Sequence, residues 1–321
     1  MRRAGGIAIA LAALAFAAPV SAQPAKSPPP PQPAPAQSGG DDVDLAYGAY
    51  QRGQYLTALS EATKRAQQND AAAMTLLGEL YAQGLGVPRD DKKAADWYKL
   101  AASKGDRNAM FALAMFNFQG RAGPRNPDEA AHLLSDAAKL GHPAAEYDLG
   151  LLYLQGEQFP QDPKRAAELF AAAAAAGNPE AQYALATMYK EGRGVAKDIN
   201  KAMQLMGQAS LAGNLEAMVE YAIAEFNGSG VQRNETGAAQ LLQKAANRGS
   251  AVAQNRLARI LMAGRGMPAN PAEAVKWHII SKALGASDPE LDLFASKQPQ
   301  EVRDAAQKAA DKWLSTAAPR S

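Results

Sequence analysis

The chain has 321 residues, a formal net charge of +2 and a hydrophobic fraction of 47%. A balance this close to neutral does not resemble the strongly basic composition of proteins that bind nucleic acid or an anionic membrane. The sequence contains no cysteine, which excludes disulfides, thiolate nucleophiles and cysteine-ligated metals.

Residues 1–22 have the pattern of a secretory signal peptide. Arg2 begins a short basic region, residues 7–18 form an apolar core, and small residues up to Ala22 offer a cleavage site. The apolar core is too short to span a bilayer stably, although an uncleaved anchor is the alternative. We therefore expect export without membrane insertion, which in a bacterial cell means the periplasm.

Residues 23–43 are predicted to be a disordered, proline-rich linker. Up to residue 40 the segment carries a single charge, Lys26, and cannot bury enough apolar surface to fold. It could be a spacer or a ligand for a proline-binding groove, or it could be a featureless tail.

Residues 44–72 resemble one tetratricopeptide-type hairpin and are predicted to be an N-terminal cap. The hairpin is a compressed form of the units that follow: Gly53 and Ala58 are five residues apart, whereas Gly84 and Ala94 are ten apart. A terminal unit that differs from its neighbours suits a cap, because one of its faces meets water.

Residues 73–285 contain six copies of a 36-residue unit, without one insertion. A fixed period of this length is typical of a solenoid. The period is visible in an alanine column and in two glycine columns: Ala73, Ala109, Ala145, Ala181, Ala217 and Ala253; Gly84, Gly120, Gly156, Gly192, Gly228 and Gly264; Gly105, Gly141, Gly177, Gly213, Gly249 and Gly285.

Each unit is predicted to be a helical hairpin. In the fourth unit, Ala181, Leu185 and Met188 follow the spacing of one helix face. Glycines then supply a positive φ at the turn, and an Asp or Asn caps the second helix. These second-helix caps are Asp90, Asn126, Asp162, Asp198, Asn234 and Asn270.

Residues 286–321 leave the pattern and are predicted to form C-terminal capping helices. The last helix has an apolar stripe that ends in Trp313 and Leu314, which suits covering the open end of the sixth unit. The alternative is a detachable helix that binds a partner.

The repeat resembles the Sel-1-like repeat family. The first unit carries the motif in order, including Leu77, Gly78, Tyr81, Asp90 and Trp97. The resemblance implies an all-α fold, an α/α right-handed superhelical solenoid, and a scaffold or adaptor role. Helicobacter relatives carry a disulfide in each repeat, and some are linked to β-lactam binding. Because this chain has no cysteine, a cell-wall or β-lactam-active enzyme is kept only as an alternative.

Catalytic patterns are missing from the sequence. None of the histidines, His132, His142 and His278, belongs to an H-E-x-x-H or H-x-x-x-H pattern, and no nucleophile elbow is found. We therefore expect no enzyme activity, no cofactor and no metal.

Binding is the function that the pattern favours. In repeats two to five, the third, seventh and tenth positions of the first helices lie opposite the face that packs within the repeat. We name these twelve residues the inner strip: Phe111, Met115, Phe118, Tyr147, Leu151, Leu154, Tyr183, Thr187, Lys190, Val219, Ile223 and Phe226.

The inner strip predicts a protein or peptide partner, and no nucleic acid. Two alternatives stay open: the strip is buried between hairpins, or the protein is a passive spacer. The resemblance adds that exported members can be regulators that dock on the periplasmic part of a sensor kinase.

Overall fold

The computed structural model describes residues 44–317, and within that range the chain is all-helical, with sixteen helices and no strand. The all-α prediction is therefore confirmed. The predicted signal peptide and proline-rich linker lie outside the described residues, as do residues 318–321.

The helices of the six repeats are all 13 residues long. In chain order the helices are α1 Leu45–Gln51, α2 Tyr55–Gln67, α3 Ala71–Gln83, α4 Asp91–Ser103, α5 Arg107–Gln119, α6 Pro127–Lys139, α7 Pro143–Gln155, α8 Pro163–Ala175, α9 Pro179–Glu191, α10 Ile199–Leu211, α11 Leu215–Asn227, α12 Glu235–Asn247, α13 Ala251–Ala263, α14 Pro271–Ala283, α15 Pro289–Ser296 and α16 Gln300–Ala317.

The helices pack as a row of hairpins. From α1 to α14, each helix packs mainly on the helix before it and the helix after it. The buried side chains accordingly form a series of small clusters along the row. This nearest-neighbour packing is the solenoid arrangement that the 36-residue period predicts.

The predicted second-helix caps are confirmed in all six repeats. Asp90 is typical: its Oδ1 accepts a hydrogen bond from the N–H of Lys93 at 3.0 Å. The same bond is made by the other five, because an Asp or Asn side chain reaches the free N–H groups of a first turn. The first helices of the repeats are capped in the same way by Asp70, Asp106, His142, Asn178, Asn214 and Ser250.

The predicted role of the loop glycines is confirmed, and the structure adds a second role. Gly192 ends α9 in the left-handed region, with φ 76°. Two residues later, Gly194 also has a positive φ, 71°, and a Cβ there would lie 2.2 Å from the carbonyl oxygen of Pro163. The loop of one repeat thus rests on the backbone of the preceding repeat, where only glycine fits.

In two repeats, a glycine in the first helix leaves room for a large aromatic side chain of the second helix. A Cβ on Gly78 would lie 2.4 Å from Tyr98, and one on Gly150 would lie 2.6 Å from Phe170. At the other repeats the small residue is alanine, and the residue 20 positions later is not a Phe or Tyr. These four pairs are Ala114 with Leu134, Ala186 with Met206, Ala222 with Leu242, and Ala258 with His278.

The last two helices pack on the end of the repeat array. α16 lies against α14, where the rings of Trp277 and Trp313 meet edge to face with centroids 6.0 Å apart. Leu291 of α15 is fully buried, and so is Ala310 of α16. These contacts cover the sixth repeat.

Candidate functional site

The inner strip occupies an intermediate environment. Eleven of its twelve side chains are half-buried, and only Val219 is buried, with 7% of its surface exposed. The strip is therefore neither enclosed in the core nor free in solvent. Apolar and aromatic residues at this exposure leave a surface that a partner can still cover.

The strip residues of α5 and α7 pack on separate buried clusters. Phe111, Met115 and Phe118 contact the cluster around Leu134 and Leu149. The three strip residues of α7, which are Tyr147, Leu151 and Leu154, contact the next cluster along the row. Each trio thus contributes its inner edge to the core and leaves its outer edge exposed.

A polar contact joins the strip between α9 and α11. The hydroxyl of Tyr183 donates to Glu220 Oε1 at 2.9 Å, and Lys190 Nζ lies 2.6 Å from Glu220 Oε2. Both donors come from the repeat before that of the carboxylate. Tyr183 and Lys190 of the inner strip therefore each have a hydrogen-bonding partner within the chain.

Asp148 lies in the same column as Glu220, two repeats earlier, and has no such partners. The positions that correspond to Tyr183 and Lys190 are Phe111 and Phe118, which offer no donor. Half-buried Asp148 makes no hydrogen bond or ion pair with the described residues. Burial without compensation raises the pKa of its carboxyl to about 7.

The three histidines have separate structural surroundings. His142 caps α7 by accepting the Ala145 N–H at Nδ1, 3.1 Å away, and burial, with the charge of Arg107, lowers its pKa to about 4. His132 is exposed beside Phe159. His278 is buried, and its Nε2 lies 2.8 Å from Asp292 Oδ1. This last pair is not predicted by the sequence pattern, because its members lie on different helices.

Neither a metal centre nor a membrane span is found between residues 44 and 317. No group of three or more His, Asp or Glu side chains there could hold a metal ion. None of the sixteen helices in that range is both long and apolar enough to cross a membrane.

Comparison with known proteins identifies the repeats. The sequence model of the Sel1 repeat matches six consecutive segments that together cover residues 71–285, namely 71–106, 107–142, 143–178, 179–214, 215–250 and 251–285. The chain belongs to the Sel1 repeat family. The predicted Sel-1-like resemblance is thereby confirmed, and each matched segment contains one helical hairpin.

Solved structures of other Sel1 repeat proteins share the fold. The chain is similar to a Sel1 repeat protein from Oxalobacter formigenes, with 28% identity over 79% of this chain and 76% of the other, and a TM-score of 0.64. A protective antigen of uropathogenic Escherichia coli strains, described as displaying an SLR fold, is 24% identical over 86% of this chain and 68% of its own, with a TM-score of 0.57. None of the curated proteins compared with the chain matches it.

Family membership supports a general function. Sel1 repeat proteins generally mediate protein–protein interactions, and these scaffolds are generally non-enzymatic. That the inner strip of this Sel1 repeat chain contacts a partner stays a prediction.

Proposed function

We propose that this Sel1 repeat protein is an exported, non-catalytic adaptor that binds a protein or peptide through the inner strip. The observation that carries the proposal is the half-burial of eleven strip residues on four consecutive first helices. Half-buried apolar groups keep their positions by packing on the core and gain further burial when a partner covers them.

The chemistry of the strip favours a protein over other partners. Ten of its twelve residues are apolar or aromatic, and the near-neutral chain has no large excess of basic residues for phosphate groups. An amphipathic helix or an extended segment, laid across α5, α7, α9 and α11, would contact all four trios. A free-standing small molecule would use only a fraction of such a surface.

The place of action that we propose is the periplasm, with the periplasmic part of a membrane sensor protein as the docking partner. Support comes from the signal-peptide pattern of residues 1–22 and from the regulatory role implied by the resemblance to exported Sel-1-like proteins. After export, the mature chain is expected to begin at Gln23, as read by mass spectrometry of periplasmic extract.

A cross-linking pull-down from periplasm tests the proposal with the variant Phe118→Glu/Leu154→Glu. The two introduced glutamates should abolish capture of a specific partner, because covering an unpaired carboxylate removes it from water at a high cost in free energy. The matched control is Leu140→Glu/Leu211→Glu, which makes the same kind of change at leucines that are 47% and 86% exposed, at the C-terminal ends of two second helices, α6 and α10. The control should capture the partner as the natural protein does.

Circular dichroism and the melting midpoint are recorded for every variant. Since Phe118 and Leu154 also contact buried clusters, Thr187→Arg provides a second strip variant that removes no apolar packing. Loss of the partner by a folded strip variant, with the control intact, supports the proposal. Equal capture by Thr187→Arg, by the folded double variant and by the natural protein would refute the strip as the binding surface.

A further inference from the structure

A cleft of about 290 Å³ opens between α11 and α13, where the inner strip ends. It shares Ile223 and Phe226 with the strip and adds apolar side chains of α13, among them Ile260 and Met262. Its charged lining residues are Arg256, Arg259, Arg265 and Glu290.

Two of the three arginines are already paired with carboxylates. Arg259 lies 2.7 Å from Asp288 and 2.7 Å from Glu290. Arg265 lies 2.6 Å from Glu235, and its guanidinium sits over the Phe226 ring, 4.5 Å from the centroid. These two side chains form fixed walls of the cleft.

Arg256 is the unmatched charge. It is exposed, and within the described part of the chain it makes no hydrogen bond or ion pair. Comparison with the preceding repeat explains why Arg256 has no partner. Glu220 occupies the same position one unit earlier and accepts hydrogen bonds from Tyr183 and Lys190. For Arg256, the residues that correspond to those two donors are Val219 and Phe226, and neither side chain can accept a hydrogen bond.

We propose that this cleft binds the C-terminal residue of the protein partner, with its carboxylate on Arg256 and its apolar side chain against Ile223, Phe226 and Met262. A guanidinium presents a planar fork of donors that matches a carboxylate. The inference rests on the proposed function, since the cleft continues the inner strip, and it names the chemistry that anchors one end of the partner.

The lining of the cleft favours a chain end over an acidic side chain. Its apolar wall and the unpaired Arg256 line the same cleft of about 290 Å³. A C-terminal residue carries an apolar side chain and a carboxylate on the same Cα. An internal Asp or Glu brings the carboxylate alone and leaves the apolar wall uncovered.

Three acetylated peptides serve as probes for the full chain. They are acetyl-Ser-Gly-Ala-Leu with a free carboxylate, the same peptide as its amide, and acetyl-Ser-Gly-Glu-Gly amide. Binding is followed by NMR through the methyl signal of Met262. The free acid is expected to bind at least tenfold more tightly than the two amides, and to weaken as salt is added.

Arg256→Gln should reduce the affinity for the free acid to that for its amide. The matched control is Arg193→Gln, which removes another arginine that is without a partner among the described residues, in a loop outside the cleft. The control should leave all three affinities unchanged. Equal binding of acid and amide, no shift at Met262 with any peptide, or equal binding of the glutamate peptide would overturn the proposal.

The two proposals fail separately. If the strip variants lose a partner but the free acid does not bind, the cleft proposal alone is wrong. If the free acid binds through Arg256 and the strip variants keep their partner, the strip proposal alone is wrong.

Discussion

His142 shows how one side chain can make a helix cap dependent on pH. The equivalent caps at the other five repeats are Asp, Asn or Ser, whereas His142 accepts the Ala145 N–H through a neutral imidazole nitrogen. Its ring also stacks on Phe111, with centroids 4.6 Å apart. Protonation would convert the acceptor into a donor and break the cap.

We predict that His142→Asn makes the protein less sensitive to acid. The folded-state pKa of His142 is lowered from 6.5 to about 4, so the unfolded chain takes up the proton first as pH falls. The natural protein should therefore lose roughly 1–3 kcal/mol of stability between pH 6.5 and 4 through this group. Thermal melts at pH 7.5 and 5 measure the loss.

The asparagine variant keeps an acceptor at the cap, as Asn178 does in the next repeat. Its midpoint should start slightly lower at pH 7.5, because the stacking on Phe111 is lost, and should then fall less on acidification. A decline as steep as that of the natural protein would show that other groups govern its acid response.

Asp148 gives the opposite pH dependence. Its folded-state pKa is raised from 3.8 to about 7, so the folded chain holds the proton more tightly than the unfolded chain. Stability from this group is complete below pH 3.8 and is lost as pH rises through about 7. We therefore predict that Asp148→Asn raises the melting midpoint at pH 8 and has little effect at pH 4.

The gain at pH 8 has an upper bound of about 4 kcal/mol from the pKa difference, and solvent screening of the half-buried group reduces it. Glu220→Gln is the control from the same column. It removes a carboxylate that Tyr183 and Lys190 hold, so it should lower the midpoint at pH 8. A lower midpoint for Asp148→Asn at pH 8 would reveal a partner for this carboxylate.

At the scale of helix pairs, a small residue on α7 is matched to a large residue on α8. Gly150 leaves room for Phe170, whose Cε1 would lie 2.6 Å from an added Cβ. A similar match holds Gly78 against Tyr98, while the corresponding residues of α5 and α6 are Ala114 and Leu134, which belong to one buried cluster. The repeat thus keeps total side-chain volume nearly constant across different residues.

We predict that Gly150→Ala destabilises the protein by roughly 1–3 kcal/mol, although alanine favours a helix over glycine by about 1 kcal/mol. Phe170→Leu alone should also destabilise, because it leaves a cavity. The double variant recreates the pair Ala114 and Leu134 and should recover part of the loss. Urea denaturation of the four proteins gives the coupling energy.

A coupling energy near zero would contradict the steric match between the two positions. The two substitutions change a single contact within one hairpin. A near-zero coupling energy would therefore mean that the rest of the interface between α7 and α8 fixes the distance between these helices.

At the scale of the whole molecule, the sequence predicts local features well and contacts between repeats poorly. The period, the caps such as Asp90 and the turns such as Gly192 depend on spacing along the chain, which can be read directly. The contact of Gly194 with Pro163 and the pair of His278 with Asp292 depend on how elements meet in space. Half-burial of the inner strip belongs to this second kind, because helix periodicity gives a direction and not an exposure.

Packing between nearest neighbours predicts how the molecule responds to damage at one end. In a repeat array each hairpin is stabilised by the hairpins next to it, so loss of a terminal contact should loosen the adjacent repeat first. Half-buried Trp313 of α16 contacts Trp277 of α14, and half-buried Trp97 of α4 contacts the first buried cluster at the other end. The two tryptophans form a matched pair for this test.

Trp313→Ala should lower local stability by roughly 1–3 kcal/mol, less than for a fully buried tryptophan. Hydrogen exchange of backbone amides in α13 and α14 should then accelerate by about ten- to a hundredfold, while amides in α5–α8 keep their protection. Trp97→Ala should produce the reverse pattern, with faster exchange in α4 and α5. If either variant accelerates exchange uniformly from α1 to α16, the array unfolds as one cooperative unit, and α16 stabilises all of it instead of the sixth repeat alone.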